Sequence, residues 1–196
     1  MTEVRPPLAN VFRTVFEFLR HRPDAVVFGA HAVNAYVETP RMTGDIDIMS
    51  TDASGLADDL RGLLADRFHI AVRVRVVAQD LGFRVYQLAE PKNRHLVDVR
   101  QVDELPSFER LESIQVIAPA DLVVSKLSSF VERRNAPKGT SDWLDLQRML
   151  LAFPRFRSPA GPVVEKLRGE DASQDVWDAF EDLTSEPIEP DNDDAY

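Results

Sequence analysis

Two aspartates separated by one residue, Asp45 and Asp47, are the side chains in this sequence whose spacing most clearly allows chemistry. Successive side chains of a β-strand point to opposite faces, so both carboxylates would share one face while Ile46 and Ile48 point to the core. Like charges held this close are unfavourable unless a cation lies between them. Mg²⁺ suits such a position, because it binds one or two carboxylates together with phosphate oxygens.

A short apolar strand and a glycine turn come before the aspartates. Val26-Val27-Phe28 is apolar on both faces, which is typical of a central strand, and Gly29-Ala30 turns the chain into a helix. Glycine lets the backbone approach a phosphate closely, and the N–H groups that begin a helix favour anions. Taken alone, the same residues also fit a plain strand–helix turn followed by two solvated carboxylates at a sheet edge.

Hydrophobic periodicity predicts the elements that must position these residues. Apolar residues at helical spacing indicate amphipathic helices, and alternation indicates half-buried strands, three of which read as an antiparallel meander. The predicted helices cover residues 8–19, 31–38, 53–68, 119–134 and 140–153, with short ones near 163–168 and 174–183. The predicted strands cover residues 25–28, 45–48, 70–77, 83–88, 95–101 and 112–117.

Composition and charge narrow the class of protein. The chain has 196 residues, 44% of them apolar, which is enough for one domain with a core. It has no cysteine, which excludes disulfides and thiolate metal sites. It has neither an apolar run of about 20 residues nor a signal-peptide core, so we expect a soluble, cytoplasmic protein without a membrane partner.

The net charge of −10 is unevenly distributed. Residues 1–150 carry 19 Lys and Arg against 21 Asp and Glu, whereas residues 151–196 carry 4 against 12. The overall charge weakly disfavours nucleic acid as a partner. The nearly neutral first part nevertheless leaves room for a local basic groove.

Four pieces of sequence, in order along the chain, resemble the nucleotidyltransferase (polymerase-β-like) superfamily. Within it they most resemble the AbiEii/AbiGii-type nucleotidyltransferases, which are known as toxins of toxin–antitoxin pairs. The pieces are Phe28-Gly29-Ala30, then Arg41-Met42-Thr43-Gly44-Asp45-Ile46-Asp47, then Lys126 followed by Arg133-Arg134, then Asp142-Trp143-Leu144-Asp145. The resemblance covers roughly residues 8–151, and it departs from the family pattern at Ala30, where a glycine or serine is expected.

The resemblance implies an α/β (α+β) nucleotidyltransferase fold, with a small mixed β-sheet flanked by helices and followed by a helical C-terminal segment. We expect a catalytic core at residues 1–118 and a helical segment at 119–185 packed on that core. The residues from 186 to 196 are acidic and nearly free of apolar side chains, so we expect a disordered tail there.

The resemblance also implies roles for individual residues. Asp45 and Asp47 would bind Mg²⁺, and a third carboxylate, Asp98, would bind a second metal ion or deprotonate the acceptor. The residues expected to bind or position the nucleotide are Gly29, Ala30, Arg41, Thr43 and Lys126. Arg41 and Thr43 could equally stabilise the loop that carries the aspartates.

Structural alternatives stay open for several of these residues. Asp98 could be an ion-pair partner of Arg100, and Lys126 could simply pack its aliphatic stem on an apolar helix face. Asp142 and Asp145 could be explained by a favourable interaction with a helix dipole.

The expected reaction is Mg²⁺-dependent transfer of a nucleoside monophosphate from an NTP to an acceptor hydroxyl. By resemblance the acceptor could be a tRNA 3′ end and a cognate antitoxin could be a partner. A basic groove around Arg73, Arg75 and Arg84 would favour RNA. An acidic pocket would instead favour a cationic antibiotic as the acceptor of an adenylyltransferase. A third alternative is a degenerate nucleotidyltransferase domain that acts as a binding module.

Overall fold

The structure, a computed structural model, describes residues 5–77 and 81–189. Residues 190–196, which belong to the predicted acidic tail, lie outside the described part. The described residues form two compact units. The first comprises residues up to 32 and from 41 to 117, and the second comprises residues 33–40 and those from 118 onward.

The first unit is built on a seven-stranded mixed sheet in the order β3-β4-β5-β2-β1-β7-β6. Its strands are β1 (Ala25–Phe28), β2 (Ile46–Ser50), β3 (Val72–Val77), β4 (Gly82–Gln87), β5 (Arg94–Gln101), β6 (Phe108–Leu111) and β7 (Ile114–Ile117). β3, β4 and β5 form the predicted antiparallel meander. β2 pairs in parallel with β5, and β1 pairs in parallel with β7, so the sheet is mixed as expected.

Seven α-helices and one short 3₁₀ helix accompany these strands in the described residues. They are α1 (Leu8–Leu19), α2 (Gly29–Tyr36), α3 (Ala53–Phe68), α4 (Pro119–Arg133), α5 (Pro137–Ala152), the 3₁₀ helix Pro154–Arg157, α6 (Pro162–Gly169) and α7 (Gln174–Ser185). None of the helices in this part of the chain combines the length and the apolarity that crossing a membrane requires.

The core of the first unit lies between one face of the sheet and the apolar stripes of α1 and α3. Fully buried residues such as Val15 of α1 and Leu60 of α3 pack there with Ile46 and Ile48 of β2. Each large aliphatic side chain buried in this way contributes about 1.5–3 kcal/mol. Because strand side chains alternate, Asp47 is directed to the opposite face of the sheet.

The structure corrects the prediction of one strand at residues 112–117. The chain forms a hairpin there, in which β6 and β7 are joined by Glu112 and Ser113. Both connecting residues have positive φ angles, 48° and 72°. Tight hairpins need this conformation and usually obtain it with asparagine or glycine, so Glu-Ser carries little sequence signal for a turn.

The second unit contains the α4–α5 helix pair, and here the predicted start of α5 was wrong. The helix begins at Pro137 and not at residue 140 or 141, because proline is well suited to the first turn of a helix. Gly139 allows a close approach to α4, since a Cβ atom at this position would lie 2.2 Å from the carbonyl oxygen of Arg133.

Candidate active site

The register of the central strands brings the predicted carboxylates to one place on the sheet. Asp47 of β2 is the direct neighbour of Asp98 in the parallel pairing with β5. Adjacent strands lie about 4.8 Å apart, and directly paired residues point to the same face. Asp45 precedes β2 by one residue, two positions before Asp47, so the loop-to-strand junction adds a third carboxylate to this region.

Gly29 lies directly against the carboxylate of Asp47. Its φ angle is +67°, and a Cβ atom there would lie 2.2 Å from Oδ2 of Asp47. Both facts favour glycine, because other residues rarely adopt this backbone conformation and a Cβ atom would push the carboxylate aside. The structure therefore places the glycine turn and the start of α2 beside Asp47.

The loop before β2 is held by its own polar side chains. The Thr43 hydroxyl donates to the Asp45 carbonyl at 3.2 Å, and Nη1 of Arg41 donates to the Met42 carbonyl at 3.3 Å. These contacts agree with the loop-stabilising alternative for Thr43 and Arg41. Ala30, where the family pattern has glycine or serine, is buried.

Asp98 is held by an arginine from the next strand. Nε of Arg84 donates to Oδ1 of Asp98 at 2.7 Å and Nη2 donates to Oδ2 at 2.8 Å, which makes a bidentate pair. The pKa of Arg84 is raised, first by this hydrogen bonding with Asp98 and further by the charges of Asp98, Asp45 and Asp47, against an opposing effect of burial. The guanidinium therefore lies within the electrostatic reach of the other two carboxylates.

The suggested pairing of Asp98 with Arg100 is wrong. Arg84 faces Asp98 directly across β4 and β5, whereas Arg100 lies two residues further along the same strand. The guanidinium of Arg100 instead lies over the ring of Phe28, 5.2 Å from its centroid. Arg84 was considered in the sequence only as part of a basic groove, and its partner becomes evident only when the hairpin register is known.

The donor set fits one divalent cation better than two. In residues 5–77 and 81–189, no three His, Asp or Glu side chains converge closely enough to hold a metal ion. Asp45 and Asp47 supply the two carboxylates that Mg²⁺ accepts alongside phosphate oxygens. Asp98 does not complete a third position, because both of its oxygens accept hydrogen bonds from Arg84. The geometry therefore departs from the three-carboxylate group that the resemblance implies.

Lys126, predicted to bind the nucleotide, is paired with carboxylates within the second unit. Only 7% of the residue is exposed, and its Nζ donates to Asp142 at 2.9 Å and to Asp145 at 2.7 Å. Arg133 also donates to Asp142, at 2.9 Å. We therefore assign Lys126 a structural role between α4 and α5.

The helix-dipole explanation for Asp142 and Asp145 is corrected by the same contacts. The two residues lie in the interior of α5, beyond its first turn, where the dipole has little effect. Both are buried, and the charges of Lys126 and Arg133 compensate for the loss of solvation.

A cavity of about 730 Å³ has Asp45 in its wall, together with three cationic side chains. The three are Arg5, Lys92 and Arg94. The pKa of Arg94 is lowered by burial and then by the positive charge of Arg5. Nη1 of Arg94 donates to the Pro6 carbonyl at 2.7 Å, a neutral acceptor. The cavity therefore concentrates positive charge beside the carboxylates, a feature that the sequence did not reveal.

Known structures share the fold of most of the chain. A polyadenylate synthase from Megavirus superposes with a TM-score of 0.61 at 12% identity, covering 76% of this chain and 32% of that one. JHP933 from Helicobacter pylori gives a TM-score of 0.54 at 11% identity, covering 90% of this chain and 88% of that one. An antigenic nucleotidyltransferase-like protein from Paracoccidioides brasiliensis gives 0.55 at 17% identity, with coverages of 90% and 88%. No protein-family model and no curated protein matches the sequence.

These similarities confirm the predicted fold class and the resemblance to nucleotidyltransferases at the level of the fold. The chain spans about a third of the length of the Megavirus protein. TM-scores of 0.54 to 0.61 establish a common architecture. Because the sequence identities are only 11 to 17%, the activity of this chain has to be argued from its own site. The finer assignment to AbiEii-type toxins stays a prediction.

Proposed function

We propose that this chain is a nucleotidyltransferase that transfers a nucleoside monophosphate from an NTP to an acceptor hydroxyl. The single observation that carries the proposal is the meeting of Gly29 with Asp47, directly beside Asp98 in the sheet. A carboxylate against the start of a helix that begins with glycine, with a second carboxylate beside it in the sheet, forms a place where metal-bound phosphates can be held near backbone N–H groups. The fold shared with solved nucleotidyltransferase structures supports this chemistry by analogy.

Each residue has a defined part in the proposed reaction. Asp45 and Asp47 would hold Mg²⁺, which when bound neutralises phosphate charge and orients the triphosphate. The backbone N–H groups at Gly29 and Ala30 would donate to phosphate oxygens, and Thr43 would keep the Asp45 loop in place. The lost hydroxyl at position 30 removes a side-chain contact and leaves the backbone donor.

The transfer itself exchanges one phosphorus–oxygen bond for another. The acceptor hydroxyl oxygen forms a bond to the α-phosphorus, and the bond from that phosphorus to the oxygen bridging the β-phosphate breaks. The bridging oxygen leaves with its electron pair as part of pyrophosphate, and the hydroxyl proton passes to solvent. The protein contributes mainly by positioning and by stabilising the negative charge on the phosphoryl oxygens.

The charge around the site favours RNA over a cationic antibiotic as the acceptor. The cavity beside Asp45 has Arg5, Lys92 and Arg94 in its wall, and this charge would repel an aminoglycoside-like molecule and attract a phosphate backbone. Exposed Arg75 continues the row of paired residues formed by Asp98 and Arg84. A tRNA 3′ end as acceptor and an antitoxin as partner follow from the family resemblance.

Transfer of radiolabel tests the proposal directly. The chain is incubated with α-labelled NTPs, Mg²⁺ and total tRNA, and in parallel with a panel of aminoglycoside and lincosamide antibiotics. We expect labelled RNA, and an Asp47→Ala variant should lose at least about 100-fold in rate, because the loss of one preorganised electrostatic group typically has this effect. Asp66→Asn, which alters an exposed carboxylate on α3, is the matched control and should retain full activity.

The outcomes separate the alternatives. Equal transfer by the Asp47→Ala variant would refute the proposed site. Label on an antibiotic and none on RNA would favour the small-molecule adenylyltransferase. Absence of transfer to any acceptor by a folded chain, together with no toxicity on expression, would favour the binding module.

A further inference from the structure

We propose that the guanidinium of Arg84 acts as the second cation of this site, and that Asp98 is a positioning residue for Arg84 and not a metal ligand. The inference rests on the proposed nucleotidyl transfer and specifies how the site is charged. In this view the site uses one divalent ion, held by Asp45 and Asp47, and the fixed guanidinium of Arg84 takes the place of a second divalent ion.

The sheet register places Arg84 where such a charge would be useful. Arg84, Asp98 and Asp47 are direct neighbours across β4, β5 and β2, so all three side chains emerge in one row on one face. The negative charges of Asp45 and Asp47 contribute, after that of Asp98, to the raised pKa of Arg84, in agreement with this placement. A phosphate bound at those aspartates would lie on the same face of the sheet as Arg84.

The pairing with Asp98 argues against a second metal ion on the same carboxylate. Both oxygens of Asp98 accept from Arg84 at 2.7 and 2.8 Å. A divalent cation on those oxygens would be repelled by the adjacent guanidinium, while the arginine already neutralises the carboxylate. In the described parts of the chain there is also no third His, Asp or Glu that joins Asp45 and Asp47 in a three-ligand group.

Arg84 retains the capacity to bind a phosphate while paired with Asp98. The bidentate pair uses two of the five N–H donors that a guanidinium carries. The side chain remains 34% exposed, so the other donors are open to a ligand on that face. A planar, preorganised guanidinium matches phosphate oxygens well, and arginines that stabilise charge in phosphoryl transfer contribute about 10³–10⁵-fold in rate.

The number of bound metal ions provides a test that is independent of turnover. The chain is titrated with Mn²⁺ in the presence of each α,β-methylene nucleoside triphosphate, and bound Mn²⁺ is counted by electron paramagnetic resonance. We expect one tightly bound ion per chain without spin coupling, and the same count in Asp98→Asn. Two spin-coupled ions, or the loss of one ion in Asp98→Asn, would overturn the inference.

A double-mutant cycle separates positioning from direct catalysis. Arg84→Gln should lower kcat by about 10³-fold without weakening Mn²⁺ binding. Asp98→Asn should lower kcat less, and the double variant should be no worse than Arg84→Gln alone, because Asp98 acts through Arg84. A double variant much worse than Arg84→Gln would give Asp98 a role of its own and contradict the proposal.

Controls keep these readings interpretable. Arg75→Gln removes the neighbouring arginine of the same row and should leave the Mn²⁺ count and the analogue affinity unchanged. Circular dichroism checks that each variant folds. If a single variant does not fold, the double variant can still be measured, because it removes both charges of the Arg84–Asp98 pair and leaves neither unpaired. Transfer with two coupled ions would refute this inference alone. A chain that binds neither Mn²⁺ nor any analogue would refute both it and the proposed function.

Discussion

Replacement of Gly29 by alanine should displace the Asp47 carboxylate while leaving the fold intact. The added Cβ would lie 2.2 Å from Oδ2 and 2.8 Å from Cγ of Asp47, far inside the normal carbon–oxygen contact distance. The carboxylate is the far end of a side chain and can rotate away by about 1 Å, whereas the backbone of β2 is held by pairing on both sides. The collision is therefore relieved at the catalytic group.

The magnitude follows from two separate effects. A non-glycine residue at φ +67° costs roughly 1–2 kcal/mol of stability, which for a chain of this size corresponds to a fall in Tm of about 2–8 °C. Displacement of a catalytic group by about 1 Å typically costs about 10²-fold in rate. We therefore expect a modest loss of stability and a much larger loss of nucleotidyl transfer.

The assay compares thermal unfolding, followed by circular dichroism, with the initial rate of label transfer to RNA. Gly62→Ala is the matched control, because Gly62 lies within α3 and a Cβ atom there would meet nothing within 4 Å. That variant should keep its activity and gain about 0.5–1 kcal/mol, since alanine is the better helix former. A Gly29→Ala variant with a rate within threefold of wild type would refute the proposed contact between the turn and Asp47.

Two further predictions concern buried ionisable groups. Lys126→Met leaves Asp142 and Asp145 buried with less charge compensation, so the free energy of unfolding in urea should fall by about 3–5 kcal/mol. Lys138→Met, which changes an exposed lysine, is the control and should alter the free energy of unfolding little. Equal stabilities of the two variants would contradict the structural role of Lys126. The pKa of His31 is lowered to about 4 by burial and then by the charge of Arg41, so the folded state favours the neutral imidazole. The contribution of this group to the free energy of unfolding is therefore complete above pH 6.5 and is lost as the pH falls towards 4. Relative to His31→Phe, the wild type should lose about 2 kcal/mol between pH 8 and pH 5 in urea unfolding, and parallel pH profiles would contradict this assignment.

The local elements of the fold were largely predictable, because hydrophobic periodicity is a local signal. The predicted bounds 8–19, 25–28 and 53–68 coincide with those of α1, β1 and α3. These segments have regular apolar stripes and clear ends. The β6–β7 hairpin and the start of α5 were missed, because Glu112-Ser113 and Ala136-Pro137 signal their conformations only weakly.

The features of the candidate site likewise divide into those set by the local sequence and those set by tertiary structure. The contact of Gly29 with Asp47 depends on the pairing of β1 with β2, whereas the common direction of Asp45 and Asp47 follows from strand alternation along one stretch of chain. The partner of Asp98 does not, because it depends on the register of β4 against β5, and a shift of one residue would turn Arg84 to the other face. The pairing of Lys126 likewise depends on tertiary structure, because the packing of α4 on α5 brings two carboxylates to its ammonium group.

The sequence by itself therefore determined most of the helices and strands, the shared face of the carboxylate pair and the glycine turn that precedes it in the chain, since strand alternation and backbone sterics act over a few residues. Only the tertiary structure decided which charges neutralise one another. Electrostatic pairing depends on distances of a few ångströms between residues far apart in sequence, such as the bond of 2.7 Å between Arg84 and Asp98. Strand register and helix packing set those distances, and both arise from burial of the whole core.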